Sequence, residues 1–496
     1  MTHYDVVVIG AGFAGVGAAI KLAEAGFDDF AVLEKADTVG GTWRENTYPG
    51  CACDVPSSLY SFSFAPKPDW DRVYAEQPQI QAYLEEVADR FNVRRRVHFG
   101  TEVTESRWNE DEQRWEIETS RGPYSARVVI AGTGPLHEPR LPDWPGLDEF
   151  PGHAFHSARW DHDYDLSGKR VAVVGTGSSA IQFVPKIQPL VKSLTLYQRT
   201  APWVLRKPDH KIPGIEKAFF RNVPGAQRAW RELLYHFFEV VQFAQRKPDV
   251  MRQVQKLGLL HLKQSVRDPE LRKALTPNFV LGCKRILLSN TYYPALQQPN
   301  AEVVPHGVTE VRGSTLVDAA GGERDFDAII LGTGFYATDP PLAKHVYGVD
   351  GTRSMADIWQ GSPQAYKGTT VHGFPNHFMT IGPNLGNGHS SAIVLIEAQL
   401  KYIVDALRVM RDRGIARVEP RADVQTEWNA TLQEALAGTV WNAGGCASYY
   451  LDVNGRNSSI YPWTTIDLRR RTSTFDVDAY DTAASETRSQ SEIAAY

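Results

Sequence analysis

The sequence repeats one short glycine pattern, and each copy follows a run of apolar residues, at positions 5–9 and 169–174. The two copies are Gly10-x-Gly12-x-x-Gly15 and Gly175-x-Gly177-x-x-Ala180. A buried parallel strand, a glycine turn and a helix in succession place the helix N-terminus against the pyrophosphate of a dinucleotide. At 496 residues the chain is also too long for one ordinary core. The sequence therefore predicts an α/β fold with two dinucleotide-binding, Rossmann-like domains.

The residue that ends the next strand of each copy indicates which dinucleotide binds there. In the first copy the strand at 30–33 ends in Glu34, about 20 residues past the glycines, where a carboxylate accepts hydrogen bonds from a ribose diol. In the second copy the strand at 193–197 ends in Gln198-Arg199-Thr200. A guanidinium there can bind a 2′-phosphate through two hydrogen bonds, and a solvated strand-end charge is the alternative. The two strand ends predict FAD in the first domain and NADPH in the second.

A short segment between the two copies combines aromatic residues with a glycine and a histidine. Its pattern, F-x-G-x-x-x-H-x-x-x-W-D, comprises Phe150, Gly152, His156, Trp160 and Asp161. Gly152 permits a tight turn, and His156 and Trp160 share a face only if the segment is helical. From the residues alone, a hinge between two cofactor domains and a packed interdomain loop are equal alternatives.

This linker resembles the fingerprint of type I Baeyer–Villiger monooxygenases, and a second pattern supports the resemblance. Residues 40–54 match the family motif G-G-x-W-x-x-x-x-Y-P-G-x-x-x-D at every fixed position. Related flavin monooxygenases that oxidise nitrogen or sulfur carry Tyr-Lys or Tyr-Arg where this chain has Trp160 and Asp161. The resemblance covers most of the chain. It implies an enzyme that uses FAD, NADPH and O2 to convert a ketone to an ester or lactone through a C4a-peroxyflavin.

The resemblance also implies roles for individual residues. Arg285 is expected to stabilise the oxygenated flavin, Asp54 to orient Arg285, and Lys284 to hold the 2′-phosphate. Tyr449 stands where the best-known members have a tryptophan on a mobile, NADP-contacting loop. His156 is expected to be structural or part of a hinge rather than an acid–base catalyst, because the cofactor carries the difficult chemistry.

The expected site residues extend beyond these four. The catalytic pair is Arg285 and Asp54, and no metal ligand is expected. The cofactor-binding set is Gly10, Gly12, Ala14, Gly15, Glu34, Gly41, Thr42, Trp43, Asp54, Tyr60, Val103, Arg285 and Gly382 for FAD, and Thr176, Gly177, Ser178, Ser179, Ala180, Gln182, Arg199, Thr200, Lys284 and Tyr449 around NADPH. The chain departs from the family at Ser289-Asn290-Thr291, where an aspartate often precedes the paired tyrosines.

The pattern of motifs divides the chain into alternating parts of the two domains. The predicted parts are 1–143 and 374–477 for the FAD domain, 144–210 and 278–373 for the NADPH domain, 211–277 for a helical insertion in it, and 478–496 for a disordered tail. Aromatic residues recur at three- and four-residue spacing in the insertion, which predicts an amphipathic helix facing a core. Whether the insertion walls a substrate pocket or contacts no ligand stays open.

Composition excludes several other classes of protein. The net charge of −5 offers no electrostatic case for nucleic acid or an anionic membrane, and no run is long and apolar enough to span a bilayer. Four cysteines are too few for a disulfide scaffold, which together with a first strand that begins by Tyr4 predicts a reducing, cytoplasmic location. Cys51 and Cys53 are poorly spaced for a disulfide-reductase pair. A heteroatom monooxygenase and a non-catalytic flavin-binding sensor are the remaining alternatives; the ketone and the oligomeric state are not predicted.

Overall fold

The computed structural model describes residues 1–388 and 390–484. Its strands are β1 (Thr2–Ile9), β2 (Phe30–Leu33), β3 (Val97–His98), β4 (Val103–Asn109), β5 (Arg114–Thr119), β6 (Tyr124–Ala131), β7 (His153–His156), β8 (Arg170–Val174), β9 (Ser193–Tyr197), β10 (Val204–Leu205), β11 (Leu287–Leu288), β12 (Ala301–Val304), β13 (Val308–Arg312), β14 (Thr315–Asp318), β15 (Glu323–Asp325), β16 (Ala328–Leu331), β17 (Val346–Tyr347), β18 (His377–Met379), β19 (Ile415–Pro420) and β20 (Tyr480–Ala484). Its α-helices are α1 (Phe13–Glu24), α2 (Thr42–Glu45), α3 (Gln77–Arg90), α4 (Ser178–Ile187), α5 (Gly214–Asn222), α6 (Ala226–Gln245), α7 (Pro248–Ser265), α8 (Pro269–Ala274), α9 (Tyr292–Leu296), α10 (Met355–Trp359), α11 (Ala392–Arg413), α12 (Ala422–Ala437), α13 (Val440–Ala443) and α14 (Thr465–Arg471).

The first sheet carries the first glycine turn. Its strands lie in the order β17-β4-β5-β6-β1-β2-β3, with β18 also paired to β6. Strand β1 is parallel to both β2 and β6, and the side chains of Val6, Val7 and Val8 are fully buried. An apolar run without alternation folds in this way because a central parallel strand is covered on both faces. Helix α1 packs against α11.

The second sheet carries the second glycine turn and is parallel throughout. Its strands lie in the order β12-β9-β8-β16-β7. The two sheets confirm the predicted fold class. The linker motif supplies the edge strand β7, with His156 opposite Leu331. Residues 153–156 of the linker are therefore part of a sheet, and His156 and Trp160 do not share a helical face. The role of the linker as a hinge stays a prediction.

The chain returns to the first sheet earlier than the boundary at 374 predicted. Residues 346–347 already form β17, which pairs with β4 in parallel, and α10 packs in the same apolar cluster as the first sheet. We call each large sheet with its packed helices a unit. The early crossing attaches the connection between the first and second units to the far edge of the first sheet.

The segment predicted to be a disordered tail is ordered over its first residues. Residues 480–484 form β20, antiparallel to β19. Tyr480 is buried, and its hydroxyl lies 2.9 Å from those of Tyr402 and Thr370. The composition of the tail concealed this one aromatic anchor, so the prediction is wrong for 478–484. Residues 485–496 lie outside the described part of the chain.

The helical insertion contains α5 to α8, but most large apolar residues of its longest helix, α6, do not face a core. Leu233, Phe237 and Val240 of α6 are each more than half exposed, whereas Arg231 and Glu239 on the opposite face are buried. The periodicity predicted the helix correctly and the buried face wrongly.

Candidate functional site

The first glycine turn brings three backbone segments together so closely that side chains would not fit. A Cβ atom on Gly15 would lie 1.7 Å from the carbonyl oxygen of Gly10, so only glycine lets α1 start against the end of β1. A Cβ atom on Gly41 would lie 2.9 Å from the Cα of Gly12. Ala14 is buried behind the turn. The arrangement leaves the amides at the start of α1 beside a small backbone cleft, which suits a pyrophosphate.

Glu34 organises the polar end of the first sheet. One carboxylate oxygen accepts from the Ala11 amide at 2.7 Å, and the other accepts from the Ala36 amide at 2.9 Å and from Arg44 at 3.2 Å. The side chain is nearly fully buried. The carboxylate therefore holds the glycine turn itself and lies where a ribose diol is expected.

The loop that matched the family motif packs over this turn. Thr42 begins the short helix α2, and Trp43 is buried. The indole Nε1 of Trp43 donates to the Tyr60 hydroxyl at 3.1 Å, with the two rings in a T-shaped arrangement. Burial raises the pKa of Tyr60 well above its usual value, so its hydroxyl stays protonated. The pair forms a rigid aromatic wall beside the first glycine turn.

Asp54 and Arg285 meet across 231 positions of sequence. The guanidinium donates to the carboxylate twice, from Nε at 2.9 Å and from Nη2 at 2.8 Å, and Nη1 donates to the Asn387 carbonyl at 3.1 Å. Both side chains are about one-quarter exposed. Asp54 is the main cause of a strongly raised pKa at Arg285, so the cation is permanent. Bidentate pairing fixes the plane of the guanidinium as well as its charge.

A disulfide precedes the Lys-Arg pair, contrary to the expectation of reduced cysteines. Cys283 is bonded to Cys446, 163 positions later. A Cβ atom on Gly444 would lie 2.6 Å from that of Cys283, so glycine is required for the close approach. The bond ties the segment of Arg285 to the loop of Tyr449. Sequence reasoning missed the bond because the two cysteines are distant in the chain. Cys51 and Cys53 are buried free thiols, and burial raises the pKa of Cys51 to about 12, which opposes a redox role for that pair.

The late loop presents two adjacent tyrosines with different surroundings. Tyr449 is about half exposed, whereas Tyr450 is buried. Their hydroxyls are 3.5 Å apart, and both contribute to the raised pKa of Arg285. The sequence prediction named Tyr449 and missed Tyr450. The carbonyl of Asn387 was also missed, because a backbone oxygen leaves no signal in residue type.

The second glycine turn is more open than the first. A Cβ atom on Gly175 would lie 2.3 Å from the Gly332 carbonyl oxygen. Gly177 and Ser178 at the start of α4 are exposed, Thr176 and Ser179 are partly exposed, and Ala180 is buried. The Gln182 side chain bonds the first unit instead. Its amide oxygen accepts from the Ala52 amide and the Tyr48 hydroxyl, and its amide nitrogen donates to the Ala52 carbonyl. Gln182 therefore joins α4 to the motif loop of residues 40–54, which we call the flavin loop.

Two cations lie near each other beyond this turn. Arg199 is exposed, and Lys284 is partly buried. Burial and the nearby Arg199 lower the pKa of Lys284. An anion between two like charges reduces their repulsion, and a 2′-phosphate bound here would do so. Thr200 supports the turn through its carbonyl, which accepts from Thr176 Oγ1 at 3.3 Å.

The linker residues make contacts with one another and with the second unit. A Cβ atom on Gly152 would lie 2.4 Å from the Asp327 carbonyl oxygen. Buried His156 accepts from the Ala158 amide through Nδ1, and burial lowers its pKa to about 4. Trp160 packs edge-on against Phe155, and Asp161 lies 2.8 Å from His153. Phe150 is buried in the core of the second sheet. The expectation that His156 is structural or part of a hinge stays a prediction.

Two predicted FAD contacts lie at the edges of the first unit. Val103 opens β4, two residues after Thr101, whose amide donates to the Glu34 carbonyl at 2.8 Å. Gly382 follows Ile381, a non-glycine residue at φ 51°, and a Cβ atom on it would lie 2.3 Å from the Gly368 carbonyl oxygen. The second segment passes close to neighbouring backbone, as a turn beside a cofactor requires.

Comparison with known proteins identifies the family. The sequence pattern described as pyridine nucleotide-disulphide oxidoreductase matches residues 7–224. A Baeyer–Villiger monooxygenase of Streptomyces coelicolor is 52% identical over 96% of this chain and 92% of its own length. The chain belongs to the Baeyer–Villiger monooxygenase family. A second Baeyer–Villiger monooxygenase, of Pseudomonas aeruginosa, is 48% identical over 96% of the chain and 91% of its own length.

Solved structures agree with that assignment. Cyclohexanone monooxygenase of Rhodococcus sp. Phi1 bound to NADP+ superposes with a TM-score of 0.87 at 29% identity, over 98% of this chain and 100% of the other. A complex of OTEMO with FAD and NADP gives 0.87 at 25% identity, over 97% and 99%. The chain is an NADPH-dependent flavin monooxygenase that uses FAD. Across 1–388 and 390–484, no helix is long and apolar enough to cross a membrane.

Proposed function

We propose that this Baeyer–Villiger monooxygenase converts a ketone to an ester or lactone at the Arg285–Asp54 pair. The observation that carries the assignment of the site is the bidentate ion pair, which joins one residue from each unit. The first unit would hold FAD, and that flavin, once reduced by NADPH, would supply the O2 activation that inserts one oxygen atom beside the ketone carbonyl and releases the other as water. A cytoplasmic location stays a prediction.

Arg285 supplies fixed positive charge where an oxygen gains negative charge during the reaction. Its pKa is raised mainly by Asp54, so it acts as a permanent cation and donates no proton. Charge that is oriented beforehand stabilises a transition state without reorganising as the reaction proceeds. Asp54 is a positioning residue in this proposal, because both of its oxygens are occupied by Arg285.

The neighbouring Lys284 serves the other cofactor. With Arg199 it forms the cationic site for the 2′-phosphate of NADPH, while Arg285 faces Asp54 on the flavin loop. One short segment after Cys283 therefore contacts both cofactor regions. Buried Trp43 and Tyr450, together with partly buried Tyr60, limit water near the reacting atoms.

The test uses purified holoenzyme with NADPH, O2 and a panel of cyclic, linear and aromatic ketones. Ester formed, hydrogen peroxide released and NADPH consumed are measured together. The proposal expects ketone-dependent ester formation that Arg285→Ala removes, while NADPH still reduces the bound flavin. Full ester formation by Arg285→Ala would contradict the proposed role, and sulfide or amine oxidation without ester would favour the heteroatom reaction.

A further inference from the structure

Helix α6 is oriented with its polar face inward. Its buried residues include Arg231, Tyr235, Glu239, Gln242 and Gln245. In an ordinary surface helix the apolar stripe faces the core and the polar face contacts water. The sequence of α6 has that amphipathic pattern, but in the structure its polar face is buried and its apolar face is exposed.

Specific hydrogen bonds hold the polar face in place. Arg231 donates to the carbonyls of Ser58 and Leu59 at 2.9 and 3.0 Å. Glu239 accepts from the Thr465 amide at 2.9 Å, and Gln242 donates to the Trp463 carbonyl at 3.0 Å. These bonds tie α6 to the first unit and leave its apolar side outward. The reversed orientation is therefore a built feature of the fold.

The outward side forms an apolar patch on two packed helices. We call it the insertion patch: Leu233, Phe237, Val240 and Phe243 of α6, with Leu257 and Leu260 of α7, each about half exposed or more. At about 200 Å² for each fully exposed side chain, the six leave roughly 700 Å² accessible. The largest apolar patch on a typical monomer is about 300–600 Å² and often functional.

The segment that carries the patch differs in charge from the rest of the chain. Residues 211–277 contain 13 Lys and Arg against 6 Asp and Glu, a formal charge of +7. The rest of the chain contains 40 against 52, a formal charge of −12. The net charge of −5 for the whole chain conceals this difference in charge between residues 211–277 and the rest. Lys256 and Lys263, both exposed, lie on α7 beside the patch.

We propose that the insertion patch docks the enzyme on the surface of an anionic lipid membrane. Exposed Leu, Phe and Val side chains flanked by lysine and arginine have the chemistry of an interfacial helix, which lies in the headgroup region without spanning the bilayer. Anionic lipid attracts basic residues that lie near the membrane surface. A second copy fits less well, because a symmetric interface would bring two segments of charge +7 together.

Vesicle flotation tests the proposal with full-length holoenzyme. The probes are phosphatidylcholine vesicles with about one-third phosphatidylglycerol, and vesicles of phosphatidylcholine alone. The bound fraction of the native enzyme is expected to be about tenfold higher on the anionic vesicles, and Leu233→Glu/Phe237→Glu should lower it about tenfold or more. Lys256→Glu/Lys263→Glu should lower it on anionic vesicles alone.

Matched controls separate the patch from general surface effects. Leu190→Glu changes an exposed leucine elsewhere, and Lys192→Glu/Lys401→Glu changes two exposed lysines elsewhere; both should bind vesicles as the native enzyme does. FAD content and circular dichroism check that each variant folds, and NADPH oxidation in solution should not change in the patch variants.

Three results would overturn the proposal. They are absence of flotation, flotation that Leu233→Glu/Phe237→Glu leaves unchanged, and a dimer in sedimentation velocity that this variant dissociates while no vesicle binds. The last result would assign the patch to a second copy of the chain.

Discussion

The two dinucleotide units share a strand–glycine–helix arrangement and differ in how their specificity residues are built in. Glu34 in the first unit is buried and bonded to two backbone amides and Arg44. Arg199 in the second unit is exposed at the end of β9. Glu34 therefore stabilises the fold of the first unit, whereas Arg199 is available to bind the ligand. The difference fits a cofactor that stays bound and one that exchanges.

Glu34→Ala should have the largest effect. Removing the carboxylate leaves the Ala11 and Ala36 amides and Arg44 without their partner, which costs about 2–4 kcal/mol of stability. We expect the purified variant to lose FAD, as read from its visible absorbance, and to melt at a lower temperature. Glu24→Ala, which removes only an exposed pair with Lys21, should change stability by less than about 0.5 kcal/mol. Retention of FAD by Glu34→Ala would contradict the claim that the fold of the first cofactor site depends on Glu34.

Reduction of the Cys283–Cys446 disulfide should have the second-largest effect. The bond closes a loop of 163 residues across the second unit and the late loop. A disulfide typically stabilises a protein by about 2–4 kcal/mol, because the bond restricts the unfolded chain. Thermal unfolding with and without dithiothreitol measures it. The native enzyme should be destabilised by the reductant and Cys283→Ser should not respond; equal responses would show that the bond does not form.

Acid should destabilise both units through one buried histidine in each. Burial lowers the pKa of His156 in β7 and of His377 in β18 to about 4. Between about pH 6.5 and 4 the unfolded chain binds more protons, so stability is complete above pH 6.5 and falls as pH drops to 4. The loss is at most about 2–3 kcal/mol for each residue. Urea unfolding across this range should show a smaller slope in His156→Asn and in His377→Leu, and an unchanged slope would contradict the assignment.

Arg199→Ala should have the smallest effect, confined to NADPH. Losing one of two cations at the 2′-phosphate should raise the KM for NADPH about tenfold. FAD content and the use of NADH should stay as they are, because Arg199 is exposed and does not hold the fold. Arg312→Ala, at another exposed arginine, is the control. A matching rise in the KM for NADH would show that Arg199 does not read the phosphate.

The features predicted from sequence are those with a local signal. Strand, glycine turn and helix were read correctly at both copies because Gly15 and Gly175 meet neighbouring backbone that excludes a side chain. The periodicity of α6 gave a helix but not its orientation, which hydrogen bonds to residues 58, 59 and 465 decide. The disulfide and the contact of Arg285 with the Asn387 carbonyl join distant segments through tertiary packing, which residue type does not reveal.

A double-mutant cycle on Asp54 and Arg285 tests the central claim most directly. The measurement is ester formed per NADPH consumed, in the native enzyme, Asp54→Ala, Arg285→Ala and the double variant. If Asp54 acts only by positioning Arg285, Arg285→Ala should lower the ratio about a hundredfold, Asp54→Ala should lower it less, and the double variant should match Arg285→Ala. Multiplying effects in the double variant would contradict the account, because the two residues would then act independently.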